Sequence, residues 1–296
     1  LVLGGGVIGG EYTTMLAALG VRVTLLDKSD RPLRMLDGEV GREFGDAAEN
    51  LGVSLCFGNA IESVERVDDR ARVTLEGGRV LEVETAMIAL GRTPNVAGLG
   101  LDNIGLEVDK RGKLPVNAMF QTAWPNLYAC GDLIGGPLAS TAMEQGRLAA
   151  LAAFSEGGTQ FPKHYPFGIY TIPEISWIGP SEEELAERGI HYAVGRAHYA
   201  ELARPVIAGE SEGFLKLLLH ADTHEVLACH VFGAGATELV HVVQAAMHFR
   251  AKVDYFIQSI FNYPTYAETL RVAALDAMNR GLREAKARQE ALYAAR

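Results

Sequence analysis

The sequence predicts an α/β fold in its amino-terminal part, followed by an α+β domain built on an antiparallel sheet. Three observations carry this. A glycine loop stands between an apolar strand and a helix-periodic stretch at the very start. Apolar strand-like runs then alternate with helical periodicity as far as residue 154. Beyond a Gly/Pro-bearing stretch at 155–167 the pattern changes to longer strands with helices between them.

Leu1–Leu3 reads as a buried strand and Gly4–Gly10 as a glycine loop. Ile8, Tyr12, Met15, Leu16 and Leu19 keep helical spacing, and Gly20 closes that helix. Val21–Leu26 is a second β-branched, apolar strand, so β-α-β fits within 26 residues. A helix is predicted over 38–51, closed by Gly52, and a short strand over 54–57. Residues 61–88 alternate around a Gly77-Gly78 turn and read as an antiparallel meander. Ala86–Leu90 is a buried strand that ends in Gly91-Arg92-Thr93-Pro94-Asn95. Residues 96–126 are loop-rich, 127–130 a short strand ending at Gly131-Asp132, and 140–154 a helix. Strands are then expected at 168–178, 192–200, 213–220 and 226–232, with helices at 181–188, 235–250 and 266–282. Residues 283–296 are rich in Ala, Glu and Arg and read as a solvated helix or a frayed tail. The opening Leu1-Val2-Leu3-Gly4, without an initiator methionine, is expected to continue something that once preceded it.

A chain of 296 residues has room for about two domains. Its net charge of −10 disfavours nucleic acid, which asks for a basic face. No apolar run approaches the roughly 20 residues that span a bilayer, and no secretory signal pattern opens the chain. A cytoplasmic protein without a membrane partner is therefore expected. The three cysteines, at 56, 130 and 229, have no C-x-x-C spacing, which disfavours a disulfide scaffold or structural zinc. Glycine, at 33 residues, exceeds its usual share of about 7%, and turns that touch phosphates would use part of that excess.

Gly4-Gly5-Gly6-Val7-Ile8-Gly9 is G-x-G-x-x-G, between a strand and a helix. In that setting Gly4 makes the tight turn, Gly6 lets backbone approach a pyrophosphate, and Gly9 allows close helix–strand packing. The helix N-terminus offers free N–H groups and a positive dipole end to the anion. Asp27, at the end of the second strand, stands where an acid would grip a ribose hydroxyl. Lys28 and Arg34 follow it and could instead pair with a 2′-phosphate, though a charge in such a position is more often a solvated surface one. One reading of this acid–base mixture is a site that accepts both NAD and NADP. The strand ending in Gly131-Asp132 presents a carboxylate to a sugar or ribityl hydroxyl; as an alternative, Asp132 caps the next helix. His220 and His224 lie in a strand–turn–strand stretch, and His241 and His248 sit two turns apart on a helix, so no metal site is expected.

The order of motifs resembles the pyridine nucleotide–disulfide oxidoreductase superfamily: a glycine loop, Gly-Arg-Thr-Pro-Asn, Tyr-Ala-Cys-Gly-Asp, then an α+β domain. The resemblance implies a Rossmann-like NAD(P)-binding domain over 1–115, the C-terminal segment of a FAD-binding domain over 116–160, and a dimerisation domain over 161–296. The first FAD half would be missing. It further implies that Gly131 and Asp132 belong to the second FAD motif. Pro137, Leu138, Ala139 and Ser140 match the segment that passes the isoalloxazine. Glu11 matches the acid near nicotinamide and flavin, and Gly91 a backbone contact to the dinucleotide. Disulfide reductases of this superfamily use His-Pro-x-x-x-Glu, the His as base for the thiols. This chain has Tyr263-Pro264-Thr265-Tyr266-Ala267-Glu268, and an ordinary phenol is a poor base at neutral pH.

Three stretches, 168–176, 194–204 and 261–275, resemble the branch that has no redox disulfide and exchanges hydride from NADPH through FAD to NAD. The catalytic candidates are then Glu11, Tyr263 and Glu268, and a homodimer is implied. Two other readings stay open. One is a flavin disulfide reductase of the lipoamide type, which a C-x4-C upstream of Leu1 would mark. The other is a non-catalytic nucleotide-binding and dimerisation fragment.

Overall fold

A computed structural model of the chain describes residues 1–136, 138–154 and 160–294, with side chains as far as residue 281. These residues form two compact units, Leu1–Leu90 with His164–Arg296, and Gly91–Lys163.

The first unit opens with strand β1 (Val2–Leu3), helix α1 (Val7–Ala18), strand β2 (Thr24–Leu26), helix α2 (Gly38–Asn50) and strand β3 (Ser54–Cys56). An antiparallel meander follows, β4 (Ile61–Val67), β5 (Arg70–Leu75) and β6 (Val80–Val83), and then β7 (Met87–Ile88). The parallel sheet has the order β3-β2-β1-β7, as the β-α-β pattern predicts. Strand β2 is shorter than expected because the preceding helix uses part of it. Gly20 donates to the Ala17 carbonyl (2.8 Å) and Val21 to Leu16 (3.0 Å), the paired bonds that close a helix end. Gly52 and Val53 close α2 the same way, onto Glu49 (2.8 Å) and Ala48 (3.0 Å).

In the unit Gly91–Lys163, α3 (Ala139–Ala153) is the one α-helix among the described residues. The strand expected at 127–130 does not form; Tyr128 makes a single bridge to Gln121. Residues 120–129 instead fold back on themselves, with Ala129 donating to Phe120 (2.9 Å) and Thr122 to Leu127 (2.9 Å). Leu106, Leu114 and Ala129 share a small core, so 91–115 pack with 116–163 in this unit. Within the expected 155–167 linker the units change at Lys163–His164, and 155–159 lie outside the described residues.

The remainder of the first unit contains β8 (Phe167–Ile169), β9 (Ile175–Ile178), α4 (Glu182–Glu187), β10 (Tyr192–His198), α5 (Ala203–Ala208), β11 (Gly213–His220), β12 (Val226–Gly233), α6 (Ala236–His248), α7 (Asp254–Gln258) and α8 (Glu268–Ala294). The strand expected over 168–178 is two strands, interrupted around Pro173, which cannot donate to a ladder. The antiparallel sheet runs β10-β11-β12-β9-β8. Strand β11 is covered on both faces. Leu215, Leu217 and Leu219 pack with Val240 and Val243 of α6 and Leu270 and Ala274 of α8. Phe214 turns the other way, with Phe232, Ile175 and the α2 residues Val40 and Phe44. The carboxyl-terminal sheet thus shares an apolar core with α2 and the segment that precedes it. Most of the 283–296 tail continues α8. No described helix is long and apolar enough to cross a membrane.

Helix α8 lies so close on β10 that a methyl group at Gly195 would overlap the Ala273 carbonyl oxygen and come within 2.7 Å of Ala277 Cβ. Gly195→Val is expected to cost about 1–3 kcal/mol of stability by overpacking, read as a lowered thermal midpoint. An unchanged midpoint would refute the close approach.

Candidate functional site

The glycine loop has the geometry its sequence calls for. Gly4 sits at φ +114°, donates to the Leu26 carbonyl (2.8 Å), and has no room for a side chain against Ala89. Gly6 precedes α1 as its N-cap without a side-chain cap, and a methyl group there would meet nothing within 4 Å. Gly9 faces the Gly4 carbonyl so closely that any Cβ would overlap it. The first turn of α1 carries no acidic side chain and no side-chain cap, which leaves its free amides available to an anion.

Asp27 follows β2 and is half-buried. Its carboxylate accepts the Gly5 amide (2.6 Å), the Ser29 amide (2.7 Å) and the Ser29 hydroxyl. Burial works against its charge, but the Ser29 and Gly5 hydrogen bonds prevail and hold its pKa below the ordinary value. Gly5 itself, the middle residue of G-x-G, lies against Asp27 and Phe57, with space for a Cβ only 3.2 Å from Asp27 Cβ. Lys28 is exposed, and Arg34 makes only a loose, exposed pair with Asp30 (3.9 Å).

Glu11, on the second turn of α1, accepts the Tyr170 amide (2.9 Å), and Thr14 accepts the Ile172 amide (3.0 Å). These two bonds tie α1 to the segment between β8 and β9, a tie with no sequence signal. Tyr263 is 75% exposed. The Glu268 carboxylate, at the start of α8, receives the Thr265 amide (3.3 Å). Thr265 in turn donates its hydroxyl to Asn262 (2.7 Å), so the Tyr263 turn is closed by its own residues.

In the second unit, Arg92 of the Gly-Arg-Thr-Pro-Asn motif pairs with Asp132 (3.4 Å), so the structure brings two motifs together. Gly131, at φ +73°, gives its amide to the buried Gln145 side chain of α3 (2.7 Å). Asp132 lies in a single turn, Gly131–Ile134, and Leu138 is the residue that precedes α3. The alternative of Asp132 as the cap of that helix is therefore set aside. Leu138 is half-buried, and Ala139 and Ser140 are exposed in a first turn that has no side-chain cap. Pro137 lies outside the described residues. Gly91 is exposed at φ +116°.

A buried ionic cluster was not anticipated from the sequence. Lys216, fully buried on β11, donates to Asp37 (2.5 Å), Glu182 (2.7 Å) and Glu39 (2.9 Å). Arg196 of β10 and His230 of β12 lie directly beside it in register. Arg196 grips Glu39 with two bonds (2.7 and 2.8 Å). Burial opposes the charge of Asp37, yet the facing His230 and the Lys216 hydrogen bond hold its carboxyl below the usual range. Glu39 is held low in the same way by Arg196 and Lys216. Burial alone would lower Lys216, but its bonds to Asp37 and Glu182 raise it. His230 is bonded to the Pro180 carbonyl (3.0 Å), and burial lowers its pKa despite Asp37. The available signal was a lone cation inside Phe214-Leu215-Lys216-Leu217-Leu218-Leu219.

Gly9→Ala is expected to push α1 off the loop and weaken dinucleotide affinity by about tenfold or more, measured by equilibrium binding to the full-length protein. Unchanged affinity would remove the loop from consideration. His230 makes a second prediction. An unfolded imidazole takes up a proton near pH 6.5, whereas buried His230 resists it. Its contribution is full above that value and is lost on acidification, at up to about 1.4 kcal/mol per pH unit. Asp37 and Glu39, both held low, add the same sign at lower pH. His230→Gln is expected to flatten the stability slope just below pH ~6.5 in denaturant titrations; an unaltered slope would contradict this.

Residues 1–146 match the family model for pyridine nucleotide-disulphide oxidoreductase, and 165–274 match the dimerisation domain of the same family. A soluble pyridine nucleotide transhydrogenase of Mycobacterium bovis (strain BCG / Pasteur 1173P2) is 44% identical over 95% of the chain. One from Serratia proteamaculans (strain 568) is also 44% identical over 95%. The chain spans 60% and 61% of the length of these two relatives. Among solved structures, LpdA from Mycobacterium tuberculosis superposes with a TM-score of 0.86 at 28% identity, over 92% of this chain and 60% of that one. The HOCl-induced flavoprotein disulfide reductase RclA from Escherichia coli gives 0.87 at 25%, over 92% and 63%. The two matched models cover both the glycine-loop region and the carboxyl-terminal sheet, and the chain belongs to the pyridine nucleotide-disulphide oxidoreductase family.

Proposed function

We propose that the full-length protein is a flavin-dependent transhydrogenase that transfers hydride from NADPH, through FAD, to NAD. The observation that carries this reading is Tyr263. It precedes Pro264 where the family's disulfide reductases carry a histidine base, and the neighbouring Glu268 is engaged by the Thr265 amide rather than by an imidazole. No thiol then needs a base. The names of the two 44% identical relatives support the same activity.

In this reading Gly4, Gly6 and Gly9, with the uncapped start of α1, receive the pyrophosphate of the nicotinamide nucleotide. Asp27 takes a ribose hydroxyl, while Lys28 and Arg34 are the cations available to a 2′-phosphate. Glu11 sets the nicotinamide end through its hold on the Tyr170 amide. Gly91 offers a backbone contact. Gly131 and Asp132, fixed by Gln145 and Arg92, would hold the ribityl or pyrophosphate part of FAD. Pro137 to Ser140, leading into the first turn of α3, would run beside its ring. The donor set fits that half of the cofactor: an exposed carboxylate, a left-handed glycine and an uncapped helix start. When bound, the flavin supplies the two-electron relay between the nucleotides.

A homodimer built on the carboxyl-terminal domain completes the proposal, with Tyr263 and Glu268 on the loop that meets the partner's flavin. The exposed side chains of Phe249, Ile260 and Tyr263 support such an interface. A cytoplasmic location accompanies it. A second reading, a disulfide reductase, draws on the printed name of the Escherichia coli neighbour.

The test uses the full-length protein loaded with FAD. NADPH is expected to bleach the flavin and an NAD analogue to restore it, with steady turnover between the two. Tyr263→Phe should retain this activity. Reduction of a dithiol's disulfide instead, with no nucleotide exchange, would transfer the assignment to the second reading.

A further inference from the structure

We infer that Lys216 is a positioning residue for the nucleotide site, acting through the 27–37 loop from the opposite side of the unit. This rests on the reading that the Gly4–Gly9 loop and Asp27 hold the adenosine half of the nucleotide. The two ends of the Gly5 peptide are set by that loop. Asp27 accepts the Gly5 amide (2.6 Å), and Leu33 gives its own amide to the Gly5 carbonyl (2.8 Å). Leu33 does this at φ +47°, a conformation a branched side chain rarely adopts and one that persists only where the surroundings impose it. Its side chain is fully buried with Leu36, Val40 and Phe44.

The loop is held taut at its far end. Leu36 donates to the Leu33 carbonyl (2.9 Å), and Arg31 reaches back to the Leu36 carbonyl (3.4 Å). One residue on, Asp37 caps α2 by accepting the Glu39 amide (3.0 Å). The other Asp37 oxygen accepts the Glu182 amide (3.2 Å), and Lys216 closes on Asp37 at 2.5 Å. Lys216 therefore fixes the point from which the strained Leu33 turn, and through it Gly5 and Asp27, are suspended. Its apolar neighbours in β11 already secure the strand, so the ammonium is not needed for sheet formation. It is needed where α2 begins.

The test compares wild type and Lys216→Met as full-length protein. The readouts are equilibrium binding of ADP-ribose, amide hydrogen exchange and bound flavin. Loss of Lys216 is expected to weaken ADP-ribose binding by about tenfold and to speed exchange at Gly5 and over 27–37. Exchange in the β4–β6 meander and flavin content should stay as in wild type. If Lys216→Met does not fold, Glu182→Gln carries the test, because Asp37 and Glu39 still neutralise the ammonium; the same pattern at smaller amplitude is expected. Affinity within about twofold of wild type, with unchanged exchange over 27–37, overturns the inference. Wild type that fails to bind ADP-ribose overturns the nucleotide reading itself, which separates the two failures.

Discussion

The seating of the α2 and α4 starts against the carboxyl-terminal sheet depends on one buried ammonium group. An isolated charge of this size costs several kcal/mol to remove from water even after relaxation, so Lys216 exists in the core only because three carboxylates meet it at 2.5–2.9 Å. Two of these acids are placed by helix geometry. Asp37 caps α2 and Glu39 lies in its first turn, where free amides and the helix dipole favour negative charge. Glu182 opens α4 behind the Ser181 capping box. Lys216 and Arg196 balance most of the three negative charges. The helix starts and the Glu182 backbone amide offset the remainder, and burial disfavours charge on His230 beside them. The cluster thus joins two helix N-termini to three adjacent strands with every charge partnered.

Such a cluster adds little net stability over an apolar packing of equal volume, but it is intolerant of misalignment. The register of β11 illustrates this. Phe214, Lys216 and Leu218 face away from α6 and α8, while Leu215, Leu217 and Leu219 face them. A slip of one residue would drive the ammonium into the α6–α8 core and expose the alternate set, so the ion cluster and the hydrophobic pattern exclude the same error. The apolar contacts of Phe214 and Phe232 with Phe44, Leu33 and Leu36 supply adhesion across this face. The ionic contacts supply its position.

Legibility in the sequence followed the range of each signal. The glycine loop, Gly20 and Gly52 were readable because their roles are set within a few residues, by turn and helix-end geometry. The meander was readable from period-2 alternation, and β11 and β12 as near-continuous apolar runs. The two-strand nature of 168–178 was obscured because apolar residues continue through Pro173, and α5 and α7, at six and five residues, are too short to show periodicity. At the site, Asp27 was visible but its ties to Gly5 and Ser29 were not. Likewise Asp132 was visible, but its Arg92 partner and the Gln145 bond to Gly131 depend on the fold. Glu11 meeting Tyr170 joins positions 159 apart in sequence, beyond any local pattern. Lys216 was missed, although a charge alone in an apolar strand must have partners that nothing local names.

The state of Asp27 bears on which nucleotides this loop would accept. A carboxylate has about four acceptor positions, and protein donors already occupy three of those on Asp27. Roughly one remains for a ribose hydroxyl, whereas a tight, bidentate grip on the 2′,3′-diol asks for two. In the proposed nucleotide site, this would make a preference for NAD weaker than the motif suggests. Arg34 is held only by an exposed pair at 3.9 Å, worth at most about 1 kcal/mol, and in the proposed role would be free to turn to a 2′-phosphate. In that proposed role, an acid occupied with shaping the loop and followed in sequence by exposed cations would discriminate poorly between NAD and NADP. For a protein proposed to draw reducing equivalents from one nucleotide and deliver them to the other, poor discrimination at this position is the property the chemistry requires.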